Sequence, residues 1–277
     1  MAWTKIKNII ILILLGTNLC LLGFTVGRWV YSRQLQGQAR EDAIAFLAGR
    51  GIQLQQDQVP QEMLLKPMWV SRDIEQEQKL AAELLAGEVA VQERGAQVYR
   101  YYNKNGSVQF HSNGEFSARF TSGAVPVDEQ GVEAHAQQIM QRLDIQGEVA
   151  QSSKTDRGQT LVFQERWDGV VLLNCQASLN YVHGCLESIT GGRRLVGTPV
   201  DNTGETPVTV ATALMRFYTG VAELGDACTR IDRIVQGYMV TSTISEPMLL
   251  VPVWHITTDI RTYQLDTLTG VLSRVAQ

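Results

Sequence analysis

At 277 residues, with 44% hydrophobic and 19% charged side chains, the chain has the proportions of a folded protein with room for one large domain or two modest ones, which excludes global disorder. A net charge of −4 excludes the basic field that nucleic acid requires, and no polybasic run is present to hold a soluble body on anionic lipid. Of the four cysteines, Cys20 lies in an apolar run, and the odd three left, Cys175, Cys185 and Cys228, argue against a disulfide framework.

Residues 9–26, IIILILLGTNLCLLGFTV, carry no charge, and their only polar side chains are Thr17, Asn18 and Thr25. Eighteen helical residues span about 27 Å, close to the thickness of the hydrocarbon layer, and predict a transmembrane helix. A cleaved signal peptide is the competing reading. Against it, the run is long for such a segment, no A-x-A site follows, and Leu19 stands where a lipoprotein signal wants a small residue before the cysteine. Lys5 and Lys7 precede the run and Arg28, Arg33 and Arg40 follow it, so charge counting is nearly balanced. A short tail, 1–8, before a large folded part predicts a single-pass protein with a cytoplasmic N-terminus and an extracytoplasmic body. Trp3, Trp29 and Tyr31 bracket the run as interfacial anchors.

Gly16, Cys20, Gly23 and Gly27 are spaced 4, 3 and 4 and fall within a helical stripe roughly 60° wide. Small residues let helix backbones approach closely, and in lipid that packing drives association. Asn18 and Thr25 lie on the opposite side, where a hydrogen bond to a second helix would add about 0.6 kcal/mol. The stripe is thus a candidate partner-packing surface; chance occurrence of Gly and Thr is the alternative.

Residues 27–58, rich in glutamine, read as a stalk with a short helix in REDAIAFLAGRG. SRDIEQEQKLAAELLAG reads as a helix with Ser71 as N-cap and Gly87 as its stop. The strands AQVYRYY, SVQFH and EFSARF follow, separated by Asn105-Gly106 and Asn113-Gly114 turns. The order recurs: the helix DEQGVEAHAQQIMQRL, with Val132, Ile139 and Leu143 inward, precedes strands turning at Asp168-Gly169 and His183-Gly184. A turn at 183–184 would set Cys175 opposite Gly192 and far from Cys185, so no bridge joins the two. A third helix, starting after Thr206 with Pro207 in its first turn, precedes three more strands. The expected fold is α+β: one transmembrane helix, then helix-plus-antiparallel-meander units forming two packed extracytoplasmic domains, 59–125 and 126–277, with the boundary at 123–126.

In LLVPVWHITTD, residues 249–259, alternation sends Val251, Val253 and His255 to one face and Pro252, Trp254 and Ile256 to the other. Asp259 would share the histidine's face but stand roughly 13 Å away. Pro252 suggests an edge position or a strand start. This is a strand rather than a catalytic cluster. His111, His135 and His183 show no HExxH or HxH spacing; GxSxG, Walker A, GxGxxG and S-x-x-K are absent. His183-Gly184-Cys185 lacks a second pair with ligand spacing, and 266–270 reads as a turn capped by Asp266. The reading is of a protein that is not an enzyme and needs no cofactor or metal; a secreted hydrolase would require a triad or metal site that the sequence does not assemble.

AWTKIKNIIILILLGTNLCLL resembles the opening of the YycI family, a Trp and basic residues before one membrane helix. TLVFQERWDGVVLLN, IVQGYMV and LLVPVWHITTDIRTYQLDTLTGVL resemble that family's Phe-Gln strand, its Gly-Tyr strand at Gly237-Tyr238, and its Pro-x-Trp hairpin ending in Thr269-Gly270. The likeness runs in order along nearly the whole chain. It implies a membrane-anchored extracytoplasmic regulator that works with a YycH-like sister protein on the sensor histidine kinase of the WalK/WalR two-component system governing cell-wall metabolism. Coupling is then expected through transmembrane helices, one face of residues 9–26 toward the kinase and the other toward the sister, with a homo-oligomer also open. The helix-plus-meander units are also similar to the PepSY-type domains of peptidase inhibitors and ligand sensors, which gives the alternative of an extracytoplasmic ligand- or peptidase-binding module.

Overall fold

The computed structural model describes residues 2–95, 97–195, 199–202, 204–242 and 248–275, with backbone alone for 2–13, 29 and 30. It opens with α1 (Ala2–Gly49), one helix of 48 residues and about 72 Å. Between residues 27 and 49 there is no proline, and Gly27 and Gly37 stand in open space, so nothing interrupts the helical ladder. The separate short helix expected within a stalk is therefore the far end of a continuous rod. Its stop is Gly51 at φ +86°: Gly51 N–H donates to Ala48 O and Ile52 N–H to Leu47 O, which satisfies the last carbonyls.

From Arg40 onward, residues 40, 43, 44 and 47 share one face, which docks on α4 (Val210–Glu223) within a core that includes Ala213, Leu214 and Phe217. Phe46 meets Tyr218 edge to face at 5.4 Å. The second half of the expected stalk thus lies in the body. Arg40 is buried there, its Nε donating to Pro60 O at 3.1 Å and its Nη2 to Val59 O at 2.8 Å and to Gln56 O. Arg40→Met keeps the apolar stem but strands three carbonyls. Denaturant unfolding should show a loss of about 2–3 kcal/mol; a loss under about 0.5 kcal/mol would mean that the 56–60 loop holds to the helix without this clamp.

The body is mixed α+β, mostly sheet with a few helices. In chain order it comprises β1 (Met68–Val70), α2 (Ile74–Leu84), β2 (Ala90–Glu93), β3 (Tyr99–Asn103), β4 (Gly106–Phe110) and β5 (Glu115–Phe120). Next come α3 (Val132–Arg142), β6 (Gln146–Thr155), β7 (Gly158–Trp167), β8 (Val170–Val182), β9 (Cys185–Arg193) and β10 (Val200–Asp201). After α4 follow β11 (Ile231–Thr241), β12 (Met248–Thr258), β13 (Thr262–Asp266) and β14 (Leu272–Arg274). The sheet path is β10-β1-β12-β11-β8-β9-β5-β4-β3-β2, with β7 and β6 beyond β8 and β13 and β14 beyond β12. Among the described residues the strand pairs are antiparallel except β8 and β11, whose one ladder bridge joins Leu172 and Tyr238.

Two cores lie on either side of that junction, and a third, smaller cluster that includes Leu172, Cys175, Tyr238, Val240 and Leu250 fills the junction itself. One gathers α2, α3 and the strands from β3 to β9 around Tyr101, Phe110, Phe116, Ile139 and Phe163. The other gathers the end of α1, α4 and β11 to β14 around Phe217, Trp254, Ile256 and Tyr263. The expected boundary at 123–126 falls inside the first: Ala124 and Val125 pack against it, and Val125 O accepts from Leu186 N–H. The first two helix-plus-meander units therefore share one core.

The turns at Asp168-Gly169 and His183-Gly184 have φ +46°/+77° and +50°/+75°, the doubly positive geometry expected of tight hairpins. At Asn105-Gly106 the turn instead occupies Lys104 and Asn105. Gly106 pairs with Asn103 in the ladder, and a Cβ there would stand 2.3 Å from Arg119 O. The loop before β5 closes on Gly114 at φ +78°. Helix starts shift by a few residues: Asp73, not Ser71, caps α2, and Thr209, not Thr206, caps α4 by accepting from Thr212 N–H. Strand β6, exposed along most of both faces, has no apolar alternation to announce it.

Candidate functional site

Gly16, Cys20, Gly23 and Gly27 line one exposed stripe of α1, and a Cβ built on any of the three glycines meets nothing within 4 Å. Around them Leu14, Leu15, Leu19, Leu21, Leu22, Phe24 and Val26 are 51–66% exposed, so the body covers no face of this segment. Its polar groups turn inward to the helix. Thr17 Oγ1 and Asn18 Nδ2 donate to Leu14 O at 3.0 and 2.9 Å, and Thr25 Oγ1 donates to Leu21 O at 2.8 Å. Asn18 and Thr25, expected to bond a second helix, thus direct these donors to their own backbone and can offer a neighbour their acceptor oxygens. Among the described residues no helix is long and apolar enough to cross a membrane. Residues 14–26 alone reach about 20 Å, and the side chains of residues 9–13, Trp3, Lys5, Lys7 and Trp29 lie outside the described residues.

The strand at 249–259 separates its neighbours as alternation requires. Trp254 is buried in the second core, its Nε1–H directed at Met63 Sδ at 3.2 Å. His255 points the other way between Val235 and Gln264, with Nδ1 unpartnered; burial first, then Arg233, lowers its pKa. Asp259, past the strand end, accepts from Thr229 Oγ1 at 2.6 Å and from the N–H groups of Thr229 and Arg230. Those bonds hold it below the usual carboxylate range. Pro252, expected at an edge or a strand start, sits in a central strand. Its tolerance has a simple cause: β1 pairs with β12 only up to Leu250 and β13 only from Val253, so no ladder bond is required of residue 252 on that side. Its carbonyl accepts from Thr267 N–H and Oγ1. Asp266 caps the following turn by accepting from Leu268 and Thr269 N–H, and Gly270 stands at φ +73°. Among the described residues no group of three or more His, Cys, Asp or Glu could hold a metal ion. Cys175, Cys185 and Cys228 are free, Cys185 only half-buried.

The most unusual chemistry lies at the seam between the cores, where β8 changes partners. The β7–β8 register jumps from Gln164–Gln176 to Arg166–Val171, so residues 172–175 leave β7 and reach toward β11. Gln164 Nε2 fills the gap by donating to Leu172 O at 2.7 Å and to Cys175 O at 3.1 Å. The Asn174 amide acts as a substitute strand: Nδ2 donates to Val240 O at 2.8 Å, and Oδ1 accepts from Val240 N–H at 2.9 Å. Arg193 Nη1 also donates to Val240 O, at 2.9 Å, while Nη2 pairs with Glu115 Oε1 at 3.0 Å. Although burial opposes it, the bonds from Arg193 and Asn113 hold Glu115 below the usual carboxylate range.

Within this seam Glu165 has no accessible surface. Its Oε1 accepts from Arg193 N–H at 2.9 Å, and its Oε2 has no partner among the described residues. Burial pushes its pKa up to about 8, against the opposing pull of the Arg193 N–H and guanidinium. Burial and the neighbouring Glu165 also push the Cys175 thiol up. A cleft of about 310 Å³ adjoins it, lined by Glu165, Trp167, Asp168, Arg193, Asp144 and Leu195 among others. Sequence reasoning passed over Glu165, yet a signal was present: it follows Leu161 and Phe163 on the buried face of alternating β7.

No family model matches the chain, and no curated protein matches it. Among solved structures, an uncharacterized protein from Eubacterium rectale ATCC 33656 is similar with a TM-score of 0.45 and 10% identity over 78% of this chain and 87% of that one. The Bacillus megaterium YpeB C-terminal domain is similar with a TM-score of 0.34 and 10% identity over 75% of this chain and 100% of that one. At such scores neither likeness identifies a family or a function, and the resemblance to the YycI family rests on the motifs of the sequence.

Proposed function

We propose that the protein is a non-catalytic, membrane-anchored regulator of a two-component sensor histidine kinase controlling cell-wall metabolism. It acts through contacts of its N-terminal helix with the kinase's transmembrane helices and with a YycH-like sister protein, the extracytoplasmic body serving as scaffold. One observation carries this reading: the helix that exposes apolar side chains on every side at 14–26 is the same unbroken helix that enters the core at 40–47. With the apolar residues 9–13 the run reaches about 27 Å. Its threonine hydroxyls and one N–H of Asn18 bond within the helix, as a segment without water favours. Because the rod and the core element are one piece, a tilt of the body turns the surface presented to a partner helix. The identity of kinase and sister comes from the sequence resemblance.

Gly23→Ile and Gly27→Ile fill the open stripe with branched side chains and should weaken co-purification with the kinase from membranes by about tenfold or more. Undiminished association would remove this role for the stripe, and loss of self-association alone would assign it to a second copy of the chain. The seam cleft favours a second reading, an extracytoplasmic PepSY-like ligand- or peptidase-binding module. On that reading residues 32–277 act without the anchor; on the first they do not.

A further inference from the structure

We infer that Glu165 and Arg193 form a proton-operated latch between the two cores, in which ionisation of the buried carboxyl draws the Arg193 guanidinium off Val240 and Glu115 and loosens the β8–β11 seam. The inference does not depend on the membrane reading, since every participating group lies in the body.

The geometry supplies both positions of the latch. Arg193 N–H already donates to Glu165 Oε1 at 2.9 Å, which tethers the arginine beside the carboxyl, and Oε2 is unpartnered. The guanidinium now points away, to Val240 O and Glu115 Oε1. Both residues line the same cleft of about 310 Å³. Apolar packing of Leu172 and Cys175 against Tyr238 and Val240 fills the seam, and its polar ties are few: one parallel bridge, two bonds from Asn174 and one from Arg193 to Val240. Removing the arginine's bond therefore takes a substantial share of its polar ties.

The charge balance favours the present arrangement while Glu165 is protonated, because a neutral acid offers the guanidinium less than Glu115 does. Once Glu165 loses its proton, an unpaired buried anion is strongly disfavoured, and the cation acting on it is Arg193. Of the other ionisable groups nearby, Arg194, buried and next in the chain, donates its Nε to Leu143 O at 3.0 Å and faces Asp144, Glu77 and Asp73. From β5 comes Glu115, an anion; from β8 comes Cys175, kept as a thiol by burial; from the α3–β6 and β7–β8 turns come Asp144 and Asp168, which offer the carboxyl no positive charge. Arg166, next in β7, is committed to Glu148 at 2.6 Å and to Gly169 O. On β11 the facing groups are Val240 and Tyr238, the latter donating to Lys66 O. The burial that raises the Glu165 pKa to about 8 places the transition on the mildly alkaline side of neutrality.

The test is hydrogen exchange of the Val240 amide in the full chain in detergent, corrected for intrinsic rate, between pH 6.5 and 9.5. The expected result is a fall in protection of about tenfold across the transition, as the loosened seam frees the Val240 N–H from Asn174 Oδ1. In Glu165→Gln, which is nearly isosteric and cannot ionise, protection should stay flat at the low-pH level. In Arg193→Gln it should be low at every pH. A wild-type profile without a step, or a step that persists in Glu165→Gln, would overturn the latch; a step of full size in Arg193→Gln would overturn the arginine's part in it.

Discussion

Glu165→Gln will stabilise the protein progressively as pH rises from about 4.5 to 8, relative to the wild type. The sign follows from the direction of the shift. The folded-state pKa is raised to about 8 from an ordinary value of 4.5, so between those values the unfolded chain has lost a proton that the folded chain retains. The stability contributed by the protonated acid is complete below pH 4.5. It then falls by about 1.4 kcal/mol per pH unit and levels off above pH 8, a total on the order of 5 kcal/mol. His135 and His255, whose pKa values burial lowers, bend the absolute curve the other way below pH 6.5. The difference between wild type and variant cancels them. Denaturant unfolding at four or five pH values would show it; parallel curves for the two proteins would mean that Glu165 ionises freely in the folded state.

Trp254→Ala should cost about 3–5 kcal/mol, whereas His255→Leu, one residue on, should cost less than about 1 kcal/mol or stabilise. Trp254 is fully enclosed between β12 and the helices α1 and α4, so truncation leaves a large cavity and strands Met63. His255 lies on the opposite face with an unpartnered Nδ1, and replacing an orphaned polar ring with an apolar side chain removes a penalty. Equal losses at both positions would contradict the strand geometry.

Much of this was legible in the sequence because local chemistry determined it. The Asp168-Gly169 and His183-Gly184 turns lie where their positive φ values require them, and alternation through 249–259 separated Trp254 from His255 correctly. Residues 132, 139 and 143 of α3 do face inward. What failed depended on long-range partners. Pro252 looked like an edge residue because no local pattern says that β1 stops short of it and β13 begins after it. β6 was missed because it pairs with β7 while burying almost nothing, and α1 was cut short because a glutamine-rich stretch looks like a linker even when the helix persists through it. Glu165 was the costliest omission. Only the three-dimensional detour of residues 172–175 shows that a carboxyl on an apolar face lacks a counter-charge at bonding distance.

The proposed regulator requires its N-terminal helix to remain in the bilayer as part of the working protein. The most direct measurement is the intact mass of the protein recovered from washed membranes, together with its resistance to extraction by alkaline carbonate. Retention in the pellet with residues 9–26 present is the predicted result. Release into the supernatant, or a mature chain that begins after Val26, would contradict it.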